Sequence, residues 1–149
     1  MVSVPRAQWV RYDTRIDLMP DGAVLVDGEQ ELTIDAAGRV YDTESHPIAL
    51  LEPDGRVVGP DDKDLGTVGS VTAALPGERV AWLGILPDGQ VQSYGGHDIR
   101  QGLGSWLGCN VSPQAQQVCV LVTHLFAMKL RGQGSGLVWE FGVGARVGP

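Results

Sequence analysis

Hydrophobic residues in the first two thirds of the chain occur in short runs that alternate with turn residues. Four segments share one order, an apolar run, a tight turn containing glycine and a second apolar run: 16–26, 32–41, 48–58 and 82–94. Their turn glycines follow one another at two nearly equal intervals and then at one interval twice as long, which equals two repeat units. Repeated short strands with turn signals at regular spacing predict β-hairpins joined in a meander. We therefore expect hairpin repeats over residues 16–94.

The turn residues explain this spacing. Three of the four turns read Pro-Asp-Gly. The proline ring fixes its own φ at a negative value that suits the start of a turn, and aspartate hydrogen-bonds to nearby backbone. Glycine supplies the positive φ that a three-residue hairpin loop with a bulge requires. The four structural turn glycines are Gly22, Gly38, Gly55 and Gly89, and we expect positive φ at Gly22, Gly55 and Gly89.

The double interval before the last turn contains a weaker copy of the repeat. Residues 65–77 have apolar positions at the expected spacing, and Leu75-Pro76-Gly77 stands where a turn is needed. The sequence therefore predicts five hairpins, arranged as an antiparallel sheet, a small barrel or a sandwich. Several strands are apolar on both faces, as at Leu50-Leu51 and Val57-Val58. We expect a second layer or a second copy of the chain to cover them.

The pattern changes after this region. Residues 95–111 are predicted to form a glycine-rich loop, and residues 112–131 a helix. Ser112 suits the N-cap and Pro113 the first helical position, and apolar residues then follow helical spacing to residue 131. Because the helix is apolar around most of its circumference, we expect it to be buried against the sheet. The fold class is thus mainly β with one helix in the C-terminal half and a terminal strand.

The last segment has the most regular alternation in the chain. After a hinge at 132–136, residues 137–147 place one apolar residue at every second position. This pattern predicts an amphipathic terminal strand. Over this segment alone the pattern resembles a strand of a bacterial outer-membrane barrel. We expect its apolar face to bind a partner through Leu137, Trp139, Phe141, Val143 and Val147.

Composition limits the classes of protein. The chain has 149 residues and a mass of 15.9 kDa, which suits a single domain over 1–149. A net charge of −7 argues against binding to nucleic-acid phosphates. The sequence contains neither a signal peptide nor an apolar stretch long enough to span a membrane, so we expect a soluble protein and favour the cytoplasm. In that compartment Cys109 and Cys119 are expected to be free thiols.

Few residues suggest chemistry. His97, Asp98 and Arg100 lie together in the glycine-rich loop and form one candidate site. His46 is expected in an exposed loop and His124 in the core. The sequence contains no familiar catalytic, phosphate-binding or metal-binding motif, so we predict no cofactor and no metal.

These observations favour a non-enzymatic β-repeat module that acts as a structural or assembly subunit. Its partner would be another protein or further copies of the chain, contacted through the terminal strand. Two alternatives stay open. One is a small hydrolase or ligand-binding protein that uses the loop of His97, Asp98 and Arg100. The other is an envelope-associated domain that lacks its leader.

Overall fold

A computed structural model describes residues 2–11, 14–94 and 103–131 of the chain. It confirms the predicted fold class, since the protein is mainly antiparallel β with one helix in the C-terminal half. The described part of the chain contains twelve strands: β1 Ala7–Arg11, β2 Thr14–Leu18, β3 Ala23–Val26, β4 Glu29–Ile34, β5 Arg39–Tyr41, β6 Pro47–Leu51, β7 Arg56–Val58, β8 Asp64–Val68, β9 Thr72–Ala74, β10 Leu83–Ile85, β11 Val91–Ser93 and β12 Ser105–Leu107. The helix α1 is Pro113–Arg131, and a 3-10 turn forms at Pro60–Asp62. The predicted hinge 132–136 and terminal strand 137–147 lie outside the described residues.

The sheet is a nearly closed barrel. From β1 to β11 each strand pairs antiparallel with the next, and β12 pairs with β1. A bridge between Gln90 and Ser105 brings the two outer edges of the sheet together. The loop prediction for 95–111 is therefore wrong at Ser105–Leu107, where Trp106 faces the core between two exposed neighbours. A run of three residues is too short for hydrophobic periodicity to reveal a strand, although Gly104 and Gly108 flank it.

Connections between successive antiparallel strands alternate between the two ends of the barrel. The four predicted turn glycines all lie at one end, which we call the glycine-turn end. Their φ angles are 96°, 88°, 95° and 94° at Gly22, Gly38, Gly55 and Gly89. Each donates its N–H to the carbonyl three residues earlier, which is the geometry of a three-residue loop with a bulge. The predicted hairpin turns are confirmed.

The fourth turn at this end departs from the prediction. Leu75-Pro76-Gly77 does form a turn, but it joins β9 to β10 and so lies at the opposite end. The hairpin of β8 and β9 closes instead at 69–72, where the N–H of Gly69 donates to Thr72 O at 2.8 Å. We call this the altered turn. The prediction failed because the proline and glycine are prominent, whereas the true turn has no Pro-Asp-Gly.

The helix lies inside the barrel. Ser112 Oγ accepts the N–H of Ala115 at 3.0 Å, which confirms the predicted N-cap. Every side chain from Val118 to Met128 is buried, which requires cover on all sides rather than on one face. The sheet supplies that cover, so the helix is enclosed and not merely packed against it. A helix also satisfies its own backbone hydrogen bonds, which suits a segment surrounded by strands that are already paired.

Aromatic residues join this helix to the wall of the barrel. Trp9 of β1 stacks on Trp106 of β12 with ring centroids 5.5 Å apart. Phe126 of the helix meets Trp9 edge-on at 6.4 Å. The inner face of the sheet is therefore covered by the helix, whereas Leu50 and Val58 on the outer face remain partly exposed. Within the described part of the chain, no helix is both long and apolar enough to cross a membrane.

Candidate functional site

Polar contacts inside the barrel fix the position of the helix. The indole N–H of Trp106 donates to Thr123 Oγ1 at 2.9 Å. The indole N–H of Trp82 donates to His124 Nδ1 at 2.9 Å, and His124 Nε2 lies 2.7 Å from the carbonyl oxygen of Leu65. The three partners belong to β8, to β12 and to the residue just before β10. They therefore fix both the rotation of the helix about its axis and its position along the barrel.

His124 has a structural role in this arrangement. Because Nδ1 accepts a hydrogen bond, Nε2 carries the proton and donates to Leu65 O. Burial lowers the pKa of His124 from 6.5 to about 4, and the hydrogen bond to Leu65 opposes that shift only in part. The imidazole is therefore neutral at pH 7. The predicted core histidine is confirmed, with both ring nitrogens hydrogen-bonded.

The two cysteines form a disulfide, so the expectation of free thiols is wrong. Their Cα atoms are 6.2 Å apart, within the range that a disulfide spans. Cys109 follows β12, and Cys119 lies in the second turn of the helix. The reversal at Ser112 and Pro113 brings them together. The bond fastens the start of the helix to the wall of the barrel.

A cleft of about 420 Å³ opens beside this disulfide at the glycine-turn end. Its walls are the altered turn, the turn of Gly89, the segment after β12 and the first turns of the helix. Val71 and Leu107 on its walls have 49% and 67% of their surface exposed, and Val111 nearby has 73% exposed. The lining residues are Ser70, Val71, Ile85, Leu86, Pro87, Asp88, Gly89, Trp106, Leu107, Gly108, Cys109, Asn110 and Gln116.

The chemistry of the cleft is mostly apolar. Of the described residues that line it, Asp88 alone carries charge, and its Oδ1 accepts the N–H of Gln90 at 3.0 Å. The amide of Gln116 donates to Asn110 Oδ1 at the rim. Apolar walls with a few convergent polar groups are typical of sites that bind an apolar or aromatic group. The polar groups can accept a hydrogen bond from the edge of such a ring.

The other predicted site residues have different outcomes. His97, Asp98 and Arg100 lie outside the described residues, as do Leu137, Trp139, Phe141, Val143 and Val147, so these sites remain predictions. His46 is exposed as predicted, and its Nδ1 lies 3.5 Å from Asp42 Oδ2. In the ranges 2–11, 14–94 and 103–131, no three His, Cys, Asp or Glu side chains are grouped to hold a metal ion.

The sequence contained one signal for the cleft that our prediction missed. Carbonyl groups of Gly22, Gly38 and Gly55 accept N–H groups from Ile34, Leu51 and Val68 respectively, and the carbonyl of Val71 accepts that of Ile85. The four donors are evenly spaced along the chain, and Val71 follows Gly55 by the same interval that separates Gly22 from Gly38. Val71 therefore occupies the position of a turn glycine. The interruption of the repeat marks the cleft.

No family model, no curated protein and no solved structure matches this chain. The function is therefore inferred from the residues of the chain itself. Two features carry that inference, the helix-filled barrel with its cleft and the apolar segment 137–147.

Proposed function

We propose that this protein is a non-enzymatic β-repeat module that acts as a structural or assembly subunit through protein–protein contacts. One observation carries the proposal: the interior of the barrel is filled by the helix of the same chain, with Val118–Met128 buried throughout. Barrels that hold a small ligand keep a cavity between their strands. Here that volume belongs to the core. The surfaces that remain for function are on the outside.

The nearly closed sheet supports a contact with another molecule. Among the described strands, each of β1 to β10 has a hydrogen-bonded strand on both sides, and the outer edges of β11 and β12 approach each other through a single bridge between Gln90 and Ser105. A sheet of this kind offers little edge to which a strand could be added. Within the described residues, the sheet therefore offers little edge with which the segment 137–147 could pair. We assign its contact to a different protein molecule.

The composition of that segment supports the same assignment. Trp139 and Phe141 fall on one face of the alternating pattern, together with Leu137 and Val143. An aromatic side chain removes about 150–250 Å² of surface from water when it is buried, and each Å² of apolar surface contributes about 25 cal/mol. Burial of a face with two aromatic and several aliphatic residues therefore has a large favourable free energy, and we expect another protein surface to cover it.

Deletion of residues 133–149 tests the proposal. Light scattering should show that the full chain forms assemblies and that the shortened chain is a monomer. Circular dichroism and the fluorescence of the buried Trp9, Trp82 and Trp106 report whether the shortened chain is folded. As a control, the full chain with His97→Ala and Asp98→Asn should assemble normally. A full chain that is monomeric at all concentrations would contradict the proposed function.

A further inference from the structure

We infer that the cleft at the glycine-turn end is the acceptor for residues 137–147 of a second copy of this chain. Copies would then be joined head to tail, with the segment of one molecule seated between the altered turn and Leu107 of the next. This inference rests on the proposed function, because it takes 137–147 as the contacting element. It adds the surface that receives the segment and the identity of the partner.

The position of the helix supports a second copy rather than the same one. The cleft includes Gln116 at the start of the helix, and Arg131 lies fifteen residues later, about 22 Å along the axis. The wall of the barrel lies about 10 Å from the axis, so the straight distance from Arg131 to the cleft is about 24 Å. Trp139 is eight residues beyond Arg131, and a glycine-rich segment of that length spans about 16 Å on average and about 28 Å at most, so only an almost fully extended chain could bring Trp139 to the cleft of its own molecule.

The chemistry of cleft and segment is complementary. A volume of about 420 Å³ falls in the range of sites that hold drug-sized groups, about 300–1,000 Å³. That size suits the rings of Trp139 and Phe141 together. Apolar walls from Val71 and Leu107 would cover them. Oxygen atoms of Asp88 and of the amides at the rim can accept the indole N–H, which requires a partner once it is buried.

Charge affects the strength of this contact. Each copy carries a net charge of −7, so copies repel one another at low ionic strength. Residues 1–64 hold fourteen acidic and six basic residues, whereas the cleft is built from residues 70–116. The contact itself is therefore apolar, and the repulsion is a longer-range effect that salt screens. Assembly should strengthen as salt concentration rises.

Two full-length variants test the inference. One changes the cleft (Val71→Glu with Leu107→Glu), and the other changes the segment (Trp139→Ser with Phe141→Ser). Light scattering should show that each variant alone is a monomer. A mixture should form a one-to-one complex of twice the monomer mass, because one variant retains its segment and the other retains its cleft. Val80→Glu is the matched control, since Val80 is 63% exposed at the opposite end of the barrel, and it should assemble like the unchanged chain.

The other outcomes separate the inference from the proposed function. If the segment variant is monomeric while the cleft variant still assembles, the segment has another acceptor and the inference is overturned, although the proposed function stands. If both variants assemble normally, both fail. A bound small molecule in the native mass spectrum of the unchanged chain, lost in the cleft variant without a change in assembly, would also overturn the inference. Circular dichroism checks folding, and Leu107→Ser alone replaces the cleft variant if the double change unfolds it.

Discussion

The regular turns and the altered turn at the same end of the barrel differ in one important way. At Gly22, Gly38 and Gly55 a three-residue loop requires positive φ, and the glycine carbonyl accepts an N–H from the next strand but one. The altered turn has a shorter loop, and Val71 provides that carbonyl without positive φ. The wall of the barrel is maintained in both cases. The altered turn additionally exposes an apolar side chain beside the cleft, and such departures from a local rule are expected at functional sites.

The polar contacts also differ between the strand beside the altered turn and the strands beside the regular turns. Its polar contacts to backbone fall on β8, the strand that leads into the altered turn. Gln117 Nε2 donates to Val68 O at 2.9 Å, and His124 contacts Leu65 O. On the regular side the ion pairs lie on the outer surface, as between Arg39 and Asp35 at 2.9 Å. The strand that leads into the altered turn therefore helps Trp82 and Trp106 to position the helix, and the altered turn itself forms part of the candidate site.

The largest expected effect is a loss of stability when a turn glycine is substituted, which substitution of Val71 should not cause. A Cβ atom at Gly22 would overlap the carbonyl oxygen of Ile34, and the φ of 96° would be strained in addition. We expect Gly22→Val to lower the free energy of unfolding by more than about 3 kcal/mol. At Gly55 the added Cβ would be 2.9 Å from Val68 O, so Gly55→Val should cost about 1–2 kcal/mol.

Val71→Gly is the matched control for these variants. It should change the free energy of unfolding by less than about 1 kcal/mol, because Val71 is half exposed and has no positive φ. Denaturant titration measures all three values. Equal losses for Gly22→Val and Val71→Gly would contradict the distinction between regular and altered turns.

The next largest loss of stability is expected when the disulfide is reduced. It closes a loop of ten residues between β12 and the helix. The loss of chain entropy in the unfolded state is worth about 2.7 kcal/mol for a loop of this length. Reduction of the unchanged chain should lower the free energy of unfolding by that amount, as measured by denaturant titration with and without reductant. Cys109→Ser with Cys119→Ser should be insensitive to reductant, and an unchanged stability on reduction would disprove the role of the bond.

Acid should weaken the protein through His124. Its pKa is about 4 in the folded protein and 6.5 ordinarily, so the unfolded chain binds the proton first. Stability is therefore complete well above pH 6.5 and falls as pH drops toward 4, with a loss on the order of 2–3 kcal/mol once the pH is near the folded pKa. His124→Gln should flatten this dependence. A flat profile for the unchanged chain would show that His124 is not held neutral.

Local patterns in the sequence predicted some elements well. Ser112 and Pro113 marked the start of the helix, and the four glycines marked their turns. Closure of the barrel was not predictable, because β12 is only three residues long and its pairing with β1 spans most of the chain. Enclosure of the helix follows from that closure. The disulfide agreed with the spacing of the two cysteines, but pairing depends on the fold and the redox conditions.

The cleft was harder to predict because it combines distant segments. The altered turn, the turn of Gly89 and the segment 106–110 approach one another only after the sheet closes. The one local signal is Val71 at the position of a turn glycine. The residues of the loop 97–100 and of the segment 137–147 were chosen from the sequence, and the described residues do not include them.

Amide hydrogen exchange of the full chain shows whether the cleft at the glycine-turn end receives the segment 137–147 of another copy. The assembled chain is compared with the monomeric variant Trp139→Ser with Phe141→Ser under the same conditions. We expect slower exchange in the assembly at the altered turn and at 107–110, with no change at the turns of Gly38 and Gly55. Protection spread equally over all turns, or confined to the regular ones, would contradict binding of the segment at the cleft.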